Sequence, residues 1–217
     1  MSPRIALENE LADLRKNMEL IAKAVLENYL HLFMAWKNKN QEEMEKIKRT
    51  DKAIAAQQRE IESQCLFLIA KQQPIVGDLR TVTACLKAVS DVERVGDHVS
   101  DIAELLLRLD LQDASPFSSH VEGMAEATRE MYEGAIEAFV KRDTVKANWI
   151  IKQDDVVDSL FNKVKADIIE SLKIENKDAD ECVNILLLAK YLEKIADHAV
   201  NISQWEIYQE TGEIKAL

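Results

Sequence analysis

The stretch Asp91-Val-Glu-Arg-Val-Gly-Asp-His-Val-Ser-Asp-Ile102 recurs one hundred positions later as Tyr191-Leu-Glu-Lys-Ile-Ala-Asp-His-Ala-Val-Asn-Ile202. Glu, Asp, His and Ile are identical at 93/193, 97/197, 98/198 and 102/202, and Arg94/Lys194, Val95/Ile195, Gly96/Ala196 and Asp101/Asn201 are conservative pairs. A repeat matched this closely means that the chain contains one structural unit twice. What it repeats is a Glu-x-x-x-Asp pair, and carboxylates four residues apart share one face of a helix. Two anions so placed repel and cost a helix roughly 0.2–0.5 kcal/mol. The arrangement calls for a compensating group, and a bound cation is the first candidate.

The rest of the chain supports long helices. It has 217 residues, 47% of them hydrophobic, enough to bury a sizeable core. Five glycines and three prolines cannot supply the turns that sheets need at short intervals. A formal charge of −11 argues against nucleic acid, which selects for basic patches, and suits metal ions or a basic protein partner. Cys65, Cys85 and Cys182 are odd in number, widely spaced and without a Cys-x-x-Cys pair, which fits buried thiols in a reducing compartment. The first residues carry no apolar signal core and no run is long enough to span a bilayer, so a soluble, cytoplasmic protein is expected.

From Leu7 to Trp36 the apolar positions 7, 11, 14, 18, 21, 25, 29, 32 and 36 advance by threes and fours, predicting a long core-facing helix. Lys37-Asn-Lys-Asn40 breaks it. A second helix is predicted from Gln41 to Lys71, then a turn at Pro74 and Gly77, and a third helix to about Leu109. Asp110 to Ser119 is rich in turn and capping residues and marks a boundary between residues 1–112 and 113–217. The order then repeats, with a helix at about 121–141, a short break at Arg142-Asp143, a fifth helix to about Lys173 and a sixth from about 178 to 209. Ile47–Asp51 aligns with Ile150–Asp154 at an offset of 103, which predicts a longer connection between second and third helices in the first half. The expected fold is all-α: six long helices as two tandem, pseudo-twofold-related antiparallel three-helix bundles.

The acids then fall on predictable faces. On the third helix, Ile75, Leu79, Val82, Leu86 and Val89 form an apolar stripe that Glu93, Asp97 and Asp101 continue, while Val92, Val95, Val99, Ile102 and Leu106 line nearly the opposite side. On the sixth, Glu193, Asp197 and Asn201 project away from the core stripe. The fifth helix carries Asp154 and Asp158, again four apart, whereas the second carries Asp51 followed by Ala55. Two antiparallel helices that each present such a pair place four carboxylates around one point, an all-oxygen set suited to Mg²⁺, Mn²⁺, Ca²⁺ or iron. The bland alternative is a solvated acidic face. His98 and His198 lie about 100° round the helix from the neighbouring Asp and are read as partly exposed helix histidines.

Three motifs, Asp91 to His98, Leu192 to Ile202 and Gln72-Gln-Pro-Ile-Val-Gly-Asp-Leu-Arg80, resemble the signatures of the PhoU family over essentially the whole chain. The resemblance implies two three-helix bundles, each with an acidic patch holding a metal ion or cluster (iron, manganese, magnesium or zinc). It implies Asp154, Asp158, Glu193, Asp197 and Asn201 for the second half, and Asp51, Glu93, Asp97 and Asp101 for the first. Ala55 stands where the family has another acid, and Gln58 replaces a frequent Glu, so the first-half patch has fewer anionic ligands. It further implies a homodimeric negative regulator that couples the ATPase subunit of a phosphate ABC transporter to a sensor histidine kinase, reaching the membrane only through partners. Rival readings are a carboxylate-bridged di-metal enzyme and a metal-free helical adaptor. The sequence has neither the Glu-x-x-His of di-iron bundles nor a phosphate loop or nucleophile elbow, which argues against catalysis.

Overall fold

The computed structural model describes residues 3–109, 118–173 and 178–213. The elements are α1 (Pro3–Lys37), α2 (Gln41–Ile47), α3 (Asp51–Gln72), α4 (Val76–Arg108), α5 (Ser118–Lys141), α6 (Thr144–Ser171) and α7 (Ala179–Thr211), with no strand among the described residues. The all-α duplication holds. The predicted boundary at 110–119 lies, but for its last two residues, outside the described residues.

The duplication is visible in the turns. Lys39 (φ 53°) and Arg142 (φ 58°), both in the left-handed region, stand 103 residues apart. Each is followed by a side-chain N-cap: Asn40 accepts from the Glu43 amide, and Asp143 from the Lys146 amide. Each turn is closed by the same backbone bond, Asn40 N–H to Ala35 C=O at 2.8 Å and Asp143 N–H to Ala138 C=O at 2.9 Å.

Two expectations need correction. The helix predicted over 41–71 is broken after Ile47, where Arg49 and Thr50 bond three residues back and the Thr50 hydroxyl donates to the Ile47 carbonyl at 2.8 Å. A threonine hydroxyl competes with the helix ladder in this way, and Asn28 holds it in place at 3.1 Å. The second half has no such break, so Asp51 opens a helix while Asp154 sits inside one. Residues 73–75 link α3 to α4, and the matching connection of the second half, where the expected length difference would be judged, includes residues 174–177, outside the described residues. Gln73 turns left-handed (φ 44°) and Pro74 cannot continue a helix, which makes that corner tight. Finally, Ile75 and Leu79 are exposed, because the first turn of α4 overhangs the bundle; its core begins at Thr81 and Val82.

The predicted stripe of α1 is buried from Leu7 to Leu32, with Trp36 packed against the core. All three cysteines are buried. Each fully buried aliphatic side chain contributes about 1.5–3 kcal/mol relative to exposure. One hydrophobic cluster runs through both halves, because α4 packs on α1, α2 and α3 and also on α7, which in turn packs on α5 and α6. A second bridge joins α1 to α5: the Tyr29 hydroxyl donates to the Ala125 carbonyl at 2.7 Å and the Tyr132 hydroxyl to the Ala22 carbonyl at 3.2 Å. These two bonds are the same bond repeated at an offset of 103, as a pseudo-twofold requires.

Candidate functional site

In the second half the four predicted carboxylates lie near enough for their charges to act on one another. Burial pushes the Asp154 carboxyl up to about 6, reinforced by the charges of Asp158 on α6 and of Asp197 and Glu193 on α7. Asp154 Oδ1 is inaccessible and has no hydrogen-bond partner. On α7, Lys194 Nζ pairs with Asp197 Oδ2 at 2.6 Å and lies 3.7 Å from Glu193, and Lys190 pairs with Glu193. The Lys190 contact lacks hydrogen-bond geometry, which leaves Glu193 Oε2 buried beside a charge without a hydrogen bond. The donor set is all carboxylate and contains an orphaned buried oxygen, which fits a hard cation. As the side chains stand, no group of three or more His, Cys, Asp or Glu among the described residues is arranged to hold one. The two lysines occupy that role instead.

The first-half patch differs in composition. Burial raises the Glu93 carboxyl, with Asp97 and Glu62 adding to the shift while Arg94 and Arg59 oppose it. Arg94 Nη1 donates to Asp97 Oδ2 at 3.1 Å and approaches Glu93 at 3.6 Å. Thus the α3 groups acting on Glu93 are Glu62 and Arg59. Glu62 was not singled out from the sequence because it has no acidic counterpart in the repeat: position 165 is Lys. Asp51 sits in the first turn of α3, where the helix dipole already favours its charge.

Two predicted ligands are placed elsewhere. Asn201 Nδ2 donates to Asp91 Oδ1 at 3.1 Å, and His198 Nδ1 lies 2.9 Å from the same oxygen. Asp101 Oδ2 stands 3.5 Å from His98 Nδ1. The Asp91 contacts belong to the antiparallel crossing of α4 and α7, where His98 and His198 stack on each other at 5.6 Å and His98 also meets Tyr191 at 5.4 Å, whereas Asp101 and His98 are neighbours three residues apart on α4. The histidines are partly exposed, as read from the sequence, with side chains 18% exposed. Burial and then the charge of His198 hold His98 below its usual value. The recurring histidine therefore marks the meeting of the two repeats near their pseudo-twofold, a role that spacing on one helix cannot show.

Duplicated helical units, each with an acidic patch between its last two long helices and joined through a histidine-lined crossing, define a tandem helical-bundle protein. A family model described as the PhoU domain matches twice, at residues 16–106 and 121–205, and the chain belongs to this family. It is 32% identical over 211 residues, 96% of each chain, to the phosphate-specific transport system accessory protein PhoU homolog of Clostridium acetobutylicum. It is 30% identical over 216 residues, 97% of each chain, to PhoU homolog 1 of Methanothermobacter thermautotrophicus. The crystal structure of the phosphate transport system regulatory protein PhoU from Streptococcus pneumoniae superposes with a TM-score of 0.90 at 29% identity, covering 97% of this chain and 100% of that one.

Proposed function

We propose that this protein is an accessory regulator of phosphate uptake that acts by binding other proteins, with a cation held on the α6–α7 patch. What carries the reading is similarity along almost the whole chain to proteins named as phosphate-specific transport system accessory proteins. In this reading Asp154, Asp158, Glu193 and Asp197 hold the cation and Lys190 and Lys194 give way to it. The ion supplies concentrated positive charge on an otherwise acidic surface. The partners are the ATPase subunit of a phosphate transporter and a sensor histidine kinase, met at the cytoplasmic face of the membrane by a homodimer. No described helix is long and apolar enough to cross a membrane. Burial pushes the Cys65 and Cys85 thiols up to about 12, the opposite of nucleophile activation.

A regulator without catalytic groups shifts a partner's equilibrium only by favouring one of its states. Negative regulation means favouring the state that keeps phosphate-starvation genes off. Deleting the gene is therefore expected to leave a phosphate-responsive promoter active in high phosphate; a promoter still fully repressed would count against this role. One observation favours a metal-free adaptor: Lys190 and Lys194 already compensate the second-half acids. Elemental analysis of the purified protein separates the two, because an adaptor carries no stoichiometric metal.

A further inference from the structure

The end of the molecule where α4 begins and α7 finishes holds an unusual concentration of cations. Arg15 on α1, Arg80 on α4 and Arg142 in the α5–α6 turn all reach the end of α7, Arg15 and Arg142 near Glu210 and Arg80 at Gly212. Arg142 Nη2 donates to Thr81 Oγ1 at 2.9 Å, and Arg142 lies close enough to Arg15 for their charges to oppose each other. Arg80 extends over the C-terminal cap of α7: its Nη1 is 2.6 Å from where a Cβ on Gly212 would fall, and Gly212 (φ 79°) leaves that space open. The sequence Asp-Leu-Arg at 78–80, noted first only as part of a motif, thus serves this corner and not the acidic patches.

The anions here do not balance these cations. Asp78 is taken by Arg4 at 2.6 Å, Glu210 stands 3.5 Å from Arg142, and Asp143 caps α6 by accepting from the Lys146 amide at 2.9 Å. Burial, with Glu210 beside it, pushes the fully buried Glu206 up to about 8, so at neutral pH it adds little negative charge. Arg15 and Arg80 make neither an ion pair nor a hydrogen bond with any described residue, and the Nε of each is inaccessible and unpartnered. Half-buried guanidiniums ordinarily find a carboxylate or a carbonyl, because a buried donor left unsatisfied is costly. In a chain of net charge −11, a corner with spare, desolvated guanidiniums calls for an anion from outside.

We propose that Arg15, Arg80 and Arg142 form a binding site for a phosphate-type oxyanion, free or carried on a phosphorylated molecule. A flat carboxylate is satisfied by one bidentate arginine, whereas a tetrahedral oxyanion presents acceptors in several directions and matches guanidiniums arriving from α1, α4 and the α5–α6 turn. This site is separate from the carboxylate patches and does not depend on the regulatory role proposed above.

The test is thermal unfolding of the full-length protein, titrated with inorganic phosphate and, separately, with chloride at matched ionic strength. Phosphate is expected to raise the melting temperature saturably and chloride is not. Arg15→Gln and Arg80→Gln should each weaken the apparent phosphate affinity by about tenfold or more, as loss of a charged hydrogen-bond donor does. A parallel titration with phenyl phosphate reports the source: stabilisation by phosphate alone assigns the free anion, and stabilisation by phenyl phosphate assigns an attached phosphoryl group. The double variant Glu193→Ala with Asp197→Ala should respond like wild type. Equal responses of the wild type to chloride and to either phosphate probe would overturn the site whether or not the variants fold. So would a phosphate response unaltered in both arginine variants, or one abolished in the acid-patch variant.

Discussion

Asp154 and Glu206 are both acids held above the usual carboxylate range, and they predict different things. Asp154 shares its surroundings with Asp158, Asp197 and Glu193, and the first-half patch lacks a second acid at Ala55 and gains Arg59. The charges acting on Asp154 are all carboxylates, whereas two of the four acting on Glu93 are arginines, so the first-half patch attracts a hard cation less strongly. Glu193→Ala with Asp197→Ala is therefore expected to remove most bound metal, and Glu93→Ala with Asp97→Ala much less, as measured by elemental analysis. Unchanged metal in the α7 variant would show that the ion sits elsewhere. Glu206 faces Glu210 and Gln209 on its own helix and Arg142 and Asp143 from the α5–α6 turn. Its folded value of about 8 lies above the ordinary 4.5, so between those limits the folded state holds the extra proton. Stability accordingly falls as pH rises through that window and levels off above it. Urea denaturation from pH 5 to 9 is expected to show that fall in wild type and a flatter profile in Glu206→Gln. Parallel profiles would mean that Glu206 titrates normally.

Among the elements, α1 and α5 carry the clearest structural consequence of duplication. The Tyr29–Ala125 and Tyr132–Ala22 bonds are equivalent by the repeat, and both hydroxyls are buried in the seam between halves. Tyr29→Phe and Tyr132→Phe are each expected to lower unfolding free energy by about 1 kcal/mol, the usual net value of a neutral hydrogen bond. Equilibrium urea denaturation measures this, and a loss from one variant alone would show that the pseudo-twofold is broken at this seam. The same equivalence fails at Thr50, where the hydroxyl interrupts the helix in the first half only. That single break moves Asp51 to a helix start and separates the electrostatics of the two patches.

At the scale of the whole molecule, the repeats are joined by more than a linker. The hydrophobic cluster is continuous through α4 and α7, and Arg142 from the second repeat is bonded to Thr81 of the first. Separating them would expose the seam faces of α4 and α7 together with the tyrosine bonds of α1 and α5. A domain with one core unfolds cooperatively. Differential scanning calorimetry is expected to give a single transition, shifted as a whole by Tyr132→Phe. Two resolved peaks, with only one moving, would mean that the repeats are thermodynamically independent.

The amino-acid sequence by itself determined that this chain is helical, duplicated and acidic on chosen faces. Those properties are written in local spacing: threes and fours along Leu7 to Trp36, the offsets of 100 and 103, and Glu-x-x-x-Asp on one face of a helix. The pairing of Asp154 with Glu193 and Asp197 was legible too, because short connections force neighbouring helices to run antiparallel. Spacing within one helix was silent about contacts that depend on how α4 crosses α7. The stacking of His98 on His198 and the turn of Asn201 and His198 toward Asp91 follow from that crossing. The grouping of Arg15, Arg80 and Arg142 likewise joins residues more than sixty positions apart, which only long-range packing brings to one corner. Side-chain periodicity is set by the backbone of a single helix, whereas these contacts are set by the register and angle at which two helices pack, and those the tertiary structure decided.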